Sequence, residues 1–101
     1  MKSRTFSELQ SEYRRAALLR FLAEDPDYST DTGLLQAALK AVGHGAPLRR
    51  VNEDAAWLEE RGLAACDNVD GLLVVKITRR GLDVVAGDEV VPGVKRPGPG
   101  I

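Results

Sequence analysis

Between residues 7 and 24 the apolar positions Leu9, Tyr13, Ala17, Leu18, Phe21 and Leu22 recur at helical spacing and predict one amphipathic helix. Ser7 and Gln10 stand at capping-box spacing, and Asp25–Pro26 provides a stop. Arg14, Arg15 and Arg20 are mixed with Glu8, Glu12 and Glu24, which reads as a solvated face held by intrahelical pairs. The stretch 25–30, DPDYST, reads as a turn-rich connection. A second helix is predicted over 31–42, with Leu34, Leu35, Ala38, Leu39 and Val42 on one side. Its cap is Asp31, Ser29 or Thr30, and Gly33 weakens its first turn. Gly43-His44-Gly45-Ala46 then turns the chain, with His44 as a turn residue, so the two helices flanking it form a helix-turn-helix candidate.

The stretch 47–63, PLRRVNEDAAWLEERGL, carries the third helical pattern. Leu48, Val51, Ala55 and Leu58 form a narrow apolar stripe. Pro47 suits a first helical position, and Gly62 suits the left-handed residue after the last turn. Two short β-forming runs follow, 63–67 and 72–77, around Asn68-Val69-Asp70-Gly71, where Asp-Gly signals a hairpin turn. Thr78 caps a short helix over 79–86, ended by Gly87. The remainder, 88–101, holds three prolines and three glycines, so it cannot continue a helix and is predicted to be an extended arm or a disordered tail. The pattern is mainly α with a small antiparallel β-hairpin, one domain over 1–87 and a tail over 88–101.

Composition supports a folded core: 44% of residues are hydrophobic and 29% charged, so neither disorder nor a membrane span is indicated. With aromatic residues at 5%, that core must rest on Leu, Val and Ala. The net charge of −1 argues against a surface that is basic all over, while leaving room for a local basic patch. One cysteine and one histidine exclude a disulfide framework and a tetrahedral Cys/His metal site within the chain. The first residues lack the apolar run of a signal peptide, and no apolar run approaches the ~20 residues needed to span a bilayer. A cytoplasmic protein with no cofactor and no membrane partner is the expectation.

The order helix, helix, helix, hairpin, helix resembles a winged helix-turn-helix domain: three helices, a two-stranded wing and a short C-terminal helix. WLEERGLAA resembles the exit of that superfamily's third helix into its first wing strand. LLVVKITRRGLDVVAG resembles the second wing strand and the opening of the last helix in ArsR- and MarR-like regulators. LAEDPDYS, WLEERGL, TRRGLDVVAG and PGVKRPGPG together are similar to small winged-helix proteins of Mu-like phages and prophages. The resemblance covers residues 6–87 and implies a DNA-binding, transcriptional-regulator-like protein, homodimeric through its first and last helices. It also implies that the third helix is the one that enters the major groove.

Placed at 100° per residue, Arg49, Glu53, Ala56 and Glu60 point away from the stripe. Arg50 and Trp57 lie along one edge and Asn52 along the other. Arg49, Arg50, Asn52 and Glu53 are therefore the candidate base-reading residues: arginine bridges guanine, asparagine pairs with adenine, and glutamate accepts from cytosine. Lys76, Arg79 and Arg80, at the exit of the hairpin, are candidate phosphate contacts, and Lys95 and Arg96 a candidate minor-groove arm. The same charges also read as solvated i,i+4 pairs, Arg49–Glu53 and Arg50–Asp54. Two cations at a helix N-terminus oppose its dipole, which favours an arriving anion. Against DNA stand the acids Glu53, Asp54, Glu59 and Glu60 on the helix and Asp67 and Asp70 at the hairpin tip. A winged-helix protein–protein interaction module without DNA binding is the alternative. Trp57 is either half-buried at the edge of the core or part of a protein interface. Cys66 either faces outward on the hairpin or fills its core. No catalytic arrangement of nucleophile, base or phosphate-cradling loop is present, so an enzyme is not expected.

Overall fold

The computed structural model describes residues 4–98. Helix α1 spans Phe6–Glu24 and begins earlier than the Ser7–Gln10 spacing predicts. Thr5 is the cap: its hydroxyl accepts from the Glu8 amide, and the Glu8 carboxylate accepts from the Thr5 amide. A carboxylate accepts more strongly than the Gln10 amide and favours the positive end of the helix, so the T-x-x-E frame wins. Those hydrogen bonds hold the Glu8 carboxyl below its ordinary pKa.

The DPDYST connection contains a strand that periodicity does not reveal. The Asp25 carboxylate accepts from the amides of Asp27 and Ser29, folding the chain tightly. Tyr28 then adopts φ 58°, an unusual value for a large side chain, and its carbonyl accepts from the Ile77 amide. This corner sends β1, Ser29–Asp31, back alongside the hairpin. Helix α2, Thr32–Ala41, follows directly, and Asp31 is its cap, accepting from the Leu34 amide at 3.0 Å. Ser29 and Thr30, the other cap candidates, lie two residues and one residue too early, within the strand, to stand at the helix boundary.

Helix α3 spans Leu48–Glu60, with Pro47 as its N-cap rather than its first helical residue. Strands β2, Ala64–Val69, and β3, Leu72–Ile77, pair antiparallel around Asp70-Gly71. Both turn residues have positive φ, 51° and 83°, as a two-residue hairpin turn with right-handed strand twist requires. The sheet therefore has three strands in the order β1-β3-β2, not the two of the predicted hairpin alone. Thr78 caps α4, Arg79–Ala86, by accepting from the Gly81 amide.

Leu18, Leu19 and Leu22 of α1 meet Leu35 and Leu39 of α2 and Val51, Ala55 and Leu58 of α3, all buried. Val75 and Ile77 close this core from the sheet, paired with Cys66 and Ala64. Leu48, predicted to join the stripe, is 43% exposed.

The core does not end at Gly87. Residues 88–98 form neither helix nor strand but bend at 91–94 and pack: Val91 and Val94 are buried, the Lys95 amide donates to the Glu12 carbonyl, and Arg15 donates to the Gly93 carbonyl. Proline and glycine exclude a helix here but not burial, and two valines suffice to seat the segment on α1. The rest of the predicted tail, 99–101, and residues 1–3 lie outside the described residues. Over the described residues the result is a compact α/β domain of four helices and a three-stranded antiparallel sheet. No helix among the described residues is long and apolar enough to cross a membrane.

Candidate nucleic-acid interface

The exposed face of α3 is set by what its other face must bury. Asp54, read from sequence as surface charge, is only 2% exposed and sits between α3 and α1. Arg14, also buried, pairs with it through Nε, and its Nη2 donates to Asp54 Oδ1 at 3.3 Å. Arg15 Nε lies 3.7 Å from the same oxygen. The predicted pair Arg50–Asp54 therefore does not form, and Arg14 does not belong to a solvated face. A carboxylate without partners would cost several kcal/mol to bury, and the two guanidiniums are what make this site tolerable.

Beside this pair Trp57 is half-buried between two cations. The guanidinium carbons of Arg15 and Arg61 lie 4.0 and 3.8 Å from its ring centroid. Gly93 closes over the ring: a Cβ there would lie 2.5 Å from Trp57 Cζ2. Burial pulls the Arg15 guanidinium below its ordinary pKa, Asp54 opposes this, and Arg14 and Arg61 add like-charge repulsion. Trp57 thus takes its core-edge position, with the segment after α4 as its cover.

With Asp54 removed from the surface, the first two turns of α3 present Arg49, Arg50, Glu53 and Ala56 outward. Arg49 is exposed and has no ion-pair partner among the described residues. Arg50 Nε donates to Glu53 Oε1 at 3.1 Å, replacing the predicted Arg49–Glu53 pair. Both side chains are substantially exposed, so this bond is worth at most about 1 kcal/mol and opens readily. Asn52 is half-buried; its Oδ1 is enclosed without a protein partner, which makes it the least available of the four to a base edge.

The remaining candidates do not join this patch. Lys76 is exposed on the outer face of the sheet, opposite Ser29 and Ala65. Arg79 extends into solvent, with Nε 3.8 Å from Asp83. Arg80 is engaged: Nη1 donates to the Arg61 carbonyl at 2.6 Å, and Nε donates to Glu89. Arg61 follows the last turn of α3, so Arg80 lies about 18 Å along the axis from Arg49. Glu60 occupies the exposed surface between them. Lys95 and Arg96 flank α1 instead, with Lys95 Nζ 5.1 Å from the Tyr13 ring.

Near the hairpin turn the outer sheet face is apolar and acidic. Val69 and Leu72, paired next to the turn, are 46% and 56% exposed, with Asp67 and Asp70 beside them. Cys66 sits half-buried on the inner face, its Sγ 3.5 Å from the Ala55 carbonyl and its amide bonded to Glu59. Burial, reinforced by Glu59, pushes its thiol up to about 11, which suits packing and not nucleophilic chemistry.

Fold and surface together define a small α/β domain that presents the basic first turn of α3. The chain is 38% identical over 93 residues to the protein named "Uncharacterized protein gp26" of Escherichia phage Mu, a match covering 92% of this chain and 96% of that protein. It belongs to the family of that phage protein. No family model matches the chain.

Proposed function

We propose that this is a winged-helix DNA-binding protein, regulator-like, that docks on duplex DNA through the first two turns of α3. In this reading the β2–β3 hairpin is the wing, and α1, α2 and α3 are the three helices of the motif. The observation that carries it is the burial of Asp54 by Arg14 and Arg15. That pair takes the central acid off the recognition surface and leaves Arg49 and Arg50 against Glu53 alone. The result is a net positive patch at a helix N-terminus, where backbone amides also favour a phosphate. Arg49 is the leading base or phosphate contact, and Arg50 joins it once released from Glu53. Lys76 and Arg79 serve as outlying phosphate contacts, and homodimerisation would set the spacing of two such patches.

The test is fluorescence anisotropy on mixed-sequence duplex DNA across a salt series. Binding should tighten steeply as salt falls, and each of Arg49→Ala and Arg50→Ala should reduce the log–log salt slope by about one. Affinity no better than about 10⁻⁴ M at low salt rejects the DNA reading. The second reading, a winged-helix module that docks on protein, is favoured by the exposed Val69 and Leu72 beside Asp67 and Asp70, where a DNA-gripping wing needs cations. Under that reading Leu72→Asp abolishes partner capture, while Arg49→Ala leaves it unchanged.

A further inference from the structure

Away from α3 and the sheet, the domain holds a cleft of about 580 Å³ between α1, the C-terminal end of α2, α4 and residues 94–98. That volume lies within the usual range for small-molecule sites. Its floor is apolar, formed by Ala16 and the buried Leu19, Val84 and Val94. Its rim is cationic, with Arg20 from α1 and Lys95 and Arg96 from the segment after α4. Among the described residues no Asp or Glu lines it, although acids outnumber bases in the chain as a whole.

We infer that this cleft binds a small amphipathic carboxylate: an aliphatic or aromatic tail on the valine and leucine floor, its anion at the Arg20–Lys95–Arg96 rim. Three features select this class. The apolar floor gives a bare inorganic anion nothing to bury, so tail and charge must belong to one molecule. The rim cations are only lightly committed: Arg20 reaches Glu24 at 3.9 Å across exposed surface, and Arg96 has no ion-pair partner among the described residues. Tyr13 and His44, whose ring centroids lie 6.0 Å apart, form a polar side wall with an O–H and an N–H able to donate to a carboxylate. The packing of residues 88–98 acquires a role here. By tying Gly93 to Arg15 and the Lys95 amide to Glu12, it carries two cations to the third.

The probe is octanoate, with 1-octanol and inorganic phosphate as controls, followed by calorimetry and by methyl NMR shifts of Leu19, Val84 and Val94. Octanoate should bind with Kd below about 1 mM and shift those methyls, octanol should bind about tenfold more weakly, and phosphate should leave the methyls unmoved. Arg96→Glu and Val42→Glu, at exposed positions on the cleft, should each weaken octanoate about fivefold or more, with melting temperatures near that of the parent. Equal binding of octanol, a full response to phosphate, shifts confined to other methyls, or indifference to both variants would each overturn the assignment. These outcomes are independent of whether α3 binds DNA.

Discussion

The chain contains the dipeptide Arg-Arg three times, and the pairs at 14–15 and 49–50, on the two helices that pack around Asp54, have opposite fates. Arg14 and Arg15 turn inward, one on a buried carboxylate and the other between that carboxylate and an indole face. Arg49 and Arg50 remain at the surface with one weak ion pair between them. The difference does not lie in the dipeptides, since each occupies an amphipathic helix with acids nearby. It lies in Asp54, forty residues from Arg14 in sequence. A buried acid draws in the arginines of the opposite helix, and without that acid at the surface the other pair stays exposed at the start of α3. Structural charge and candidate functional charge are thus linked through one carboxylate.

The largest expected effect comes from breaking that link. Asp54→Ala leaves Arg14 buried without a counter-charge and should cost about 3–5 kcal/mol, a large fraction of the stability of a domain this size. Chemical denaturation measures it, and a loss below about 1 kcal/mol would mean that the pair is not the anchor of α3. Combining Arg14→Met with Asp54→Leu should recover much of the loss, because an apolar pair of similar volume needs no counter-charge.

Gly93→Ala comes next. The position has φ +96° and the new Cβ would meet Trp57 at 2.5 Å, so about 1–3 kcal/mol should be lost as the cover over Trp57 and Arg15 lifts. Quenching of Trp57 fluorescence by iodide should rise in parallel; unchanged quenching would show that the segment does not cover the ring.

Cys66 sharpens the comparison from the other side of α3. With its thiol pushed from 9.0 to about 11, thiolate at neutral pH is about 100-fold scarcer than for an ordinary cysteine. Alkylation should be correspondingly slow and should climb about tenfold per pH unit up to about 11 instead of levelling near 9. Asp54→Ala should accelerate it by loosening α3 from the sheet, and a plateau near 9 would mean that the thiol is exposed in the native state. The smallest effect belongs to the exposed pair. Arg49→Ala with Arg50→Ala should change stability by no more than about 0.5 kcal/mol per site, so any loss of DNA affinity reports on contact and not on folding.

Much of the architecture is legible in the chain. Stripes at helical spacing place α1, α2 and α3, Asp-Gly places the hairpin turn, and Thr78 and Gly87 bound α4, because each of these is a local preference satisfied by its neighbours in sequence. The placement of Arg49, Glu53, Ala56 and Glu60 on the exposed face of α3 follows from the same geometry. The misreading of Asp54 shows where such reading stops. By angle Asp54 lies on the flank of the α3 stripe, about 80° from its centre, while Leu48 lies about 40° from it on the opposite side. Hydropathy assigned the leucine inward and the acid outward, whereas the structure buries the acid and exposes the leucine. A helical wheel weighs each side chain against water alone; Asp54 is weighed against Arg14 and Arg15, which only the packing of α1 on α3 brings within reach.

The same limit applies to β1 and to residues 88–98. Three residues of strand have no period to detect, and they are held by the Tyr28 corner and by β3, which lies more than forty residues further along the chain. The proline-rich segment has no period either, yet Val91 and Val94 find a groove that exists only once α1 and α4 have met. Local periodicity and capping, which act over a turn or two of chain, settled the helices and the hairpin. Charge burial, the third strand and the cationic cleft depend on partners distant in sequence, and these the tertiary structure alone decided.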